Sequence, residues 1–263
     1  SADYLALALD LLAGPDRLDA AAWKLELPRC EKPLKDFRVL AWLDDESCPV
    51  DGEVATALNK LVDTLRGHGV AVEQGSPPGF KLREQYELFL RLLTGAFAAG
   101  MPPKLFARMA RGAWIAKRFR KPAPDTLPGY SDGVTQRHRD WIVANEQRER
   151  ARWKWAEVFE RYDVVLMPVV PVTAIPHQQD GNLFTRKITV NGKPRPYSDL
   201  MTWIAPATLA YLPVTVAPVG LTPGGLPVGV QIVSSYLGDK TALRFAQQLQ
   251  ERLPPPVWPG FKN

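Results

Sequence analysis

Four apolar runs constrain this chain most: FRVLAWL (37–43), DVVLMPV (163–169), PVTVAPV (213–219) and PVGVQIVS (227–234). Their length suits strands better than helices, and valine dominates them. The 163–169 run is continuously apolar and the 227–234 run alternates more clearly. A near-continuous apolar strand has to be covered on both faces, which points to a sheet packed between helices. After the first run, Val54, Leu58, Leu61, Val62 and Leu65 recur on one side of a helix expected over 53–66, and Gly67 and Gly69 then lead into VAVEQG. That β-α-β order favours two parallel strands with the helix packed across them. The expectation is an α/β fold, with a mixed β-sheet flanked by helices and containing 37–43, 70–73, 163–169, 214–219 and 228–233.

The remaining segments place loops and helices around that sheet. Between Pro77 and Lys121 the pattern is helical, with Leu82, Leu88, Phe89, Leu92, Leu93, Phe97, Leu105, Phe106 and Met109 as expected core. Proline and glycine clusters divide it, so 77–130 reads as a helical insertion within a single α/β domain spanning 1–263. A long helix with a solvated, charged face is expected over 131–161. An excursion from Thr173 to Pro206 follows the 163–169 strand, with a turn at Asn191-Gly192 and a short helix near 198–204. A long connection leaving the carboxyl end of a buried strand is where α/β proteins place binding residues. At the start, Leu5, Ala8, Leu9 and Leu12 mark a helix stopped by Gly14-Pro15, yet no strand or capping sequence leads into Ser1. The expectation is a chain that begins inside a larger architecture.

Composition narrows the function. The 33 basic and 28 acidic residues give a net charge of +5 spread along the chain, which is no nucleic-acid footprint. Cys30 and Cys48, with His68, His138 and His177, make neither a disulfide framework nor a metal-ligand spacing, so no metal and no cofactor are expected, in a reduced, cytoplasmic setting. No apolar run reaches the roughly 18 residues of a membrane span.

Individual polar groups offer little chemistry. Ser234-Ser235 lacks a Gly-x-Ser-x-Gly elbow and reads as a strand end. Asp44-Asp45-Glu46 reads as a solvated acidic loop, because spaced oxygen ligands are missing. His177 has no identifiable nucleophile beside it. Gly224-Gly225 reads as a hairpin turn rather than a phosphate loop. None of these forms a catalytic constellation.

Four segments nevertheless resemble the carboxyl half of the amidase signature family: SADYLALALDLLAGPD at the start, YDVVLMPVVPVTA (162–174), LAYLPVTVAPVG (209–220) and GLPVGVQIV (225–233). They occur in the family's order over essentially the whole chain. The resemblance implies acyl transfer from an amide through an acyl-enzyme on serine. It also implies that the catalytic Lys, the cis-peptide Ser and the nucleophilic Ser lie upstream of the opening helix, so none is assigned here. On that reading the chain is a truncated amidase, inactive alone, whose partners are a small-molecule amide and the amino-terminal half, with dimerisation through an uncovered apolar surface. Two alternatives stand beside it: a non-catalytic binding or assembly module, and the amidase subunit of a tRNA-dependent amidotransferase, for whose glutamine-binding Arg and Asp no clear match is present. Where many relatives have Asn-Leu-Ala-Gly-Leu-Pro, this chain has Thr208-Leu209-Ala210-Tyr211-Leu212-Pro213, and Tyr211 reads as a core residue. Pro168, Pro171, Thr173, Trp203 and Thr208 are the residues expected around the substrate.

Overall fold

The structure is a computed structural model that describes residues 1–119 and 122–253. Helix α1 (Ala2–Leu12) opens the chain, and the hydroxyl of Ser1 accepts from the Tyr4 N–H at 3.5 Å. Ser1 is thus the cap that the sequence did not reveal, since a capping residue needs no lead-in of its own. Strand β1 (Arg38–Ala41) is followed by α2 (Gly52–Gly67), whose cap Asp51 accepts from the Glu53 N–H at 3.2 Å. The chain reverses through Gly69 at φ +78°, a conformation glycine adopts without a Cβ penalty, and enters β2 (Ala71–Gln74). Strands β1 and β2 pair in parallel with Arg38 opposite Ala71, as the crossover requires.

Helices α3 (Leu82–Phe97), α4 (Pro103–Lys117) and α5 (Leu127–Val134) form the helical section, and α6 (His138–Arg161) returns to the sheet. The helix expected over 131–161 is therefore two. Gln136 causes the break: its side-chain amide donates to the Gly133 carbonyl at 2.7 Å and to the Arg91 carbonyl at 2.8 Å, tying the junction to α3. Gly133 is required there, because a Cβ would lie 2.0 Å from the Thr94 hydroxyl. The helical section has its own core of Tyr86, Phe89, Leu90 and Leu92 against Ala144, Ala205 and Leu209. Phe97, at the end of α3, and Phe106 of α4, both expected inside, are exposed, and α4 buries only Ala113.

Strand β3 (Val164–Pro168) is buried at every residue. The hairpin β4 (Lys187–Val190) and β5 (Lys193–Pro196) turns at Asn191-Gly192, both at positive φ, and Asn191 is anchored to Asp51 through its own N–H at 2.9 Å. A 3-10 turn over Tyr197–Met201 and helix α7 (Ala205–Leu209) precede β6 (Val214–Leu221), β7 (Pro227–Val233) and α8 (Asp239–Gln250). The main sheet runs β2-β1-β3-β7-β6, with β1 parallel to β2 and β3, and with β7 antiparallel to β3 and β6. This is the expected mixed sheet. The β6–β7 hairpin closes at Gly224-Gly225, where the Gly225 N–H reaches the Thr222 carbonyl at 2.9 Å.

Among the described residues β6 is an edge strand, with Val214 and Val216 exposed, and Leu5, Leu7, Leu11 and Leu12 of α1 are exposed as well. An apolar edge of this kind is a surface that proteins normally cover. None of the described helices is long and apolar enough to cross a membrane.

Candidate functional site

A groove of about 980 Å³ opens where β3 ends. Its walls are the segment 169–175 leaving β3, the face of β6 at Thr215 to Pro218, the start of β7, the first turn of α1 and the last turn of α8. Valine, alanine and leucine dominate the lining. Such a concavity, mostly apolar with a few polar atoms, suits a small organic ligand.

The expected site residues fall in three positions. Thr173 lines the groove and is half-buried. Pro168, Pro171 and Trp203 are buried behind the wall rather than on it. They fix its backbone: the Gln231 side-chain amide donates to the Pro168 carbonyl at 2.6 Å and to the Trp203 carbonyl at 3.1 Å, and the Asp51 N–H donates to the Pro171 carbonyl at 2.8 Å. Trp203 donates its indole N–H to the Cys48 carbonyl at 3.1 Å and meets Trp42 edge-on, with centroids 5.8 Å apart. Thr208 is exposed on α7, away from the groove, and its hydroxyl donates to the Ile204 carbonyl at 2.9 Å.

Next to this node lies a buried polar group that sequence reasoning missed. Arg195 donates from Nε to the Asp199 carboxylate at 2.6 Å and from Nη2 to the Ser47 carbonyl at 2.7 Å. Burial raises the Asp199 carboxyl above the ordinary range, against the opposing pull of Arg195. Tyr86 donates its hydroxyl to the Ser198 carbonyl at 3.0 Å, and burial raises that phenol too. The Cys48 thiol is pushed up to about 12, by burial first and by Asp199 second, so it stays protonated and unreactive at neutral pH. The i,i+4 spacing of Arg195 and Asp199 was the one available signal.

The polar groups weighed in the sequence keep structural roles. Ser234 is fully buried and donates its hydroxyl to the Gly238 carbonyl at 2.8 Å. Asp45 accepts from the Ser47 N–H at 3.0 Å and hydroxyl at 2.6 Å, closing a turn. His177 is exposed in the connection after β3. Tyr211 is not a core residue: it is 49% exposed at φ +57°, with Arg148 and Arg152 of α6 lying over its ring. A glycine there would take this left-handed turn freely, whereas a tyrosine in it is driven outward.

A family model for amidases matches residues 1–243, and the chain belongs to the amidase family. The A-subunit of the glutamyl-tRNA(Gln) amidotransferase of Exiguobacterium sp. is 26% identical over 272 residues, covering 94% of this chain and 52% of that protein. Its namesake from Neisseria gonorrhoeae is also 26% identical over 272 residues, covering 95% and 53%. A bacterial aryl acylamidase of the amidase signature family superposes with a TM-score of 0.69 at 19% identity, over 94% of this chain and 50% of that one. The glutamyl-tRNA(Gln) amidotransferase A-subunit of Thermotoga maritima superposes with a TM-score of 0.64 at 21% identity, over 95% and 50%. At these identities the solved structures speak to the fold. The chain spans about half the length of the curated relatives it matches.

Proposed function

We propose that these residues form one wall of the substrate site of a serine-dependent amide hydrolase, with the nucleophile and its proton-transfer groups supplied by polypeptide outside them. The observation that carries the reading is the groove at the exit of β3, apolar and backed by a hydrogen-bonded node, in a chain of amidase lineage. Amide hydrolysis by acyl transfer needs an activated nucleophile and donors for the oxyanion. Ser234 is committed to a backbone carbonyl and Cys48 is held protonated, so neither suits that role. What the groove offers is apolar surface for an acyl or aryl group, with Thr173 as a polar atom on its wall.

The substrate class follows from the lining: carboxylic amides with an apolar substituent, in preference to charged ones. The names of the curated relatives favour a second reading, the amidase subunit of a tRNA-dependent amidotransferase, whose small polar substrate would use the Arg195–Asp199 region instead. The two separate in the complete translation product that carries this chain. Val216→Trp, which projects an indole into the groove, is expected to raise KM for an acyl anilide at least tenfold while leaving glutaminase turnover unaffected. An unchanged KM would rule out the groove as the substrate wall.

A further inference from the structure

At the far end of β7 from the groove, α6 and the two loops flanking the β6–β7 pair bring together Arg148, Arg152, Tyr211 and Tyr236. We propose that these four residues form a binding site for an oxyanion, a carboxylate or phosphate group, separate from the apolar groove. The inference does not depend on the reading of the groove.

Arg148 and Arg152 stand one turn apart on α6, and their side chains are only 15% and 28% exposed. A single carboxylate serves both: Glu149 accepts from Arg152 Nη1 at 2.7 Å and lies 3.8 Å from Arg148 Nε. Asn145 accepts from Arg148 Nη2 as a neutral partner. Two partly buried cations against one half-exposed anion leave a net positive site.

The Arg148 guanidinium lies 4.5 Å from the Tyr211 ring centroid, and that of Arg152 lies 5.4 Å from Tyr211 and 4.7 Å from Tyr236. Each guanidinium carbon lies over a tyrosine ring within cation–π range, a contact that leaves the N–H donors to other partners. Both Nε atoms are buried and have no acceptor among the described residues. Donors buried without an acceptor are unmet hydrogen-bonding capacity, and a bidentate oxyanion entering at the tyrosine rim would supply the acceptors.

Tyr211 at φ +57° and Leu237 at φ +63° both occupy the left-handed region, where side chains other than glycine are disfavoured. Such strain persists where surrounding structure holds it and recurs at ligand clamps. The Tyr211 and Tyr236 rings, 49% and 54% exposed, form the rim of the cluster.

The test follows the Nε–Hε resonances of Arg148 and Arg152 in the full chain, titrated with sodium acetate and with inorganic phosphate against sodium chloride at matched ionic strength. The expected result is saturable shifts with acetate, phosphate or both that chloride does not reproduce, and affinity at least fivefold weaker in the Arg148→Lys/Arg152→Lys double variant. That variant keeps the charge and loses the planar fork. Saturation by acetate alone assigns a carboxylate, and saturation by phosphate alone assigns a phosphate. Shifts identical with chloride, or unchanged affinity in the double variant, overturn the proposal. If the double variant loses amide dispersion, the wild-type comparison with chloride decides alone.

Discussion

Replacing Gln231 with leucine probes the node behind the groove most sharply. The residue is 3% exposed, and its amide nitrogen bonds the Pro168 carbonyl at 2.6 Å and the Trp203 carbonyl at 3.1 Å, joining β7 to the exit of β3 and to the approach to α7. Leucine matches its size and removes both donors. A buried hydrogen bond contributes a net of about 1–1.5 kcal/mol, so the expected loss is about 2–3 kcal/mol. Urea denaturation reads this as a lower midpoint at unchanged slope, since the core surface exposed on unfolding is the same. Amide exchange in 169–175 should quicken with it, because Pro168 begins that wall. Gln231→Glu adds a pH signature. The introduced carboxylate would face two carbonyl oxygens with no donor, so its folded-state pKa is raised and the folded protein binds more protons than the unfolded one between the two pKa values. Stability of that variant therefore falls as pH rises through this window and recovers in acid. A loss below about 0.5 kcal/mol for Gln231→Leu, against the expected value, would refute the reasoning that these bonds hold the wall.

Three further outcomes are expected. Gly129→Ala should destabilise the α5 junction by about 1–3 kcal/mol or more, because its Cβ would lie 1.9 Å from the Ala123 carbonyl oxygen, and a melting temperature equal to wild type would contradict this. Burial alone would raise the Asp163 carboxyl, but its bonds to Arg38 and Lys32 outweigh that and hold it below the ordinary range. Its contribution is therefore present above the unfolded carboxylate pKa and lost in acid, so the gap in stability between wild type and Asp163→Asn should be largest at neutral pH and close as pH falls below about 4. Finally, a thiol reagent should label half-buried Cys30 in the native protein and Cys48 only on unfolding; native labelling of both at equal rates would show that Cys48 is not sealed.

The elements legible in the sequence are those whose cause is local. Four of the sheet's five strands show as apolar runs, most continuously β3, which is buried at every residue, whereas the mostly exposed β2 shows only through its place after α2. The Asn191-Gly192 and Gly224-Gly225 turns show because positive φ at Asn191, Gly192 and Gly225 selects those residue types. What escaped depends on partners distant in sequence. The break before α6 comes from Gln136 reaching Arg91, and the exposed Tyr211 ring is met by arginines of α6 far away in sequence. The same holds for the site: Thr173 on the groove wall followed from its place after β3, whereas nothing in PVGVQIVS singles out Gln231 as the residue that pins that wall. Pro168, Pro171 and Trp203, expected around the substrate, lie one layer behind the groove surface. Position along a strand end identifies a neighbourhood, and only the pleat decides which side chains face it.

The central claim is that these residues supply a substrate wall but not the nucleophile. Its most direct measurement is amide hydrolysis by the 263-residue chain and by the complete translation product that carries it, side by side on aryl and aliphatic amides. The account predicts turnover by the complete product and none above buffer by the chain alone. Turnover by the chain at a comparable rate, abolished by Ser235→Ala, would contradict it.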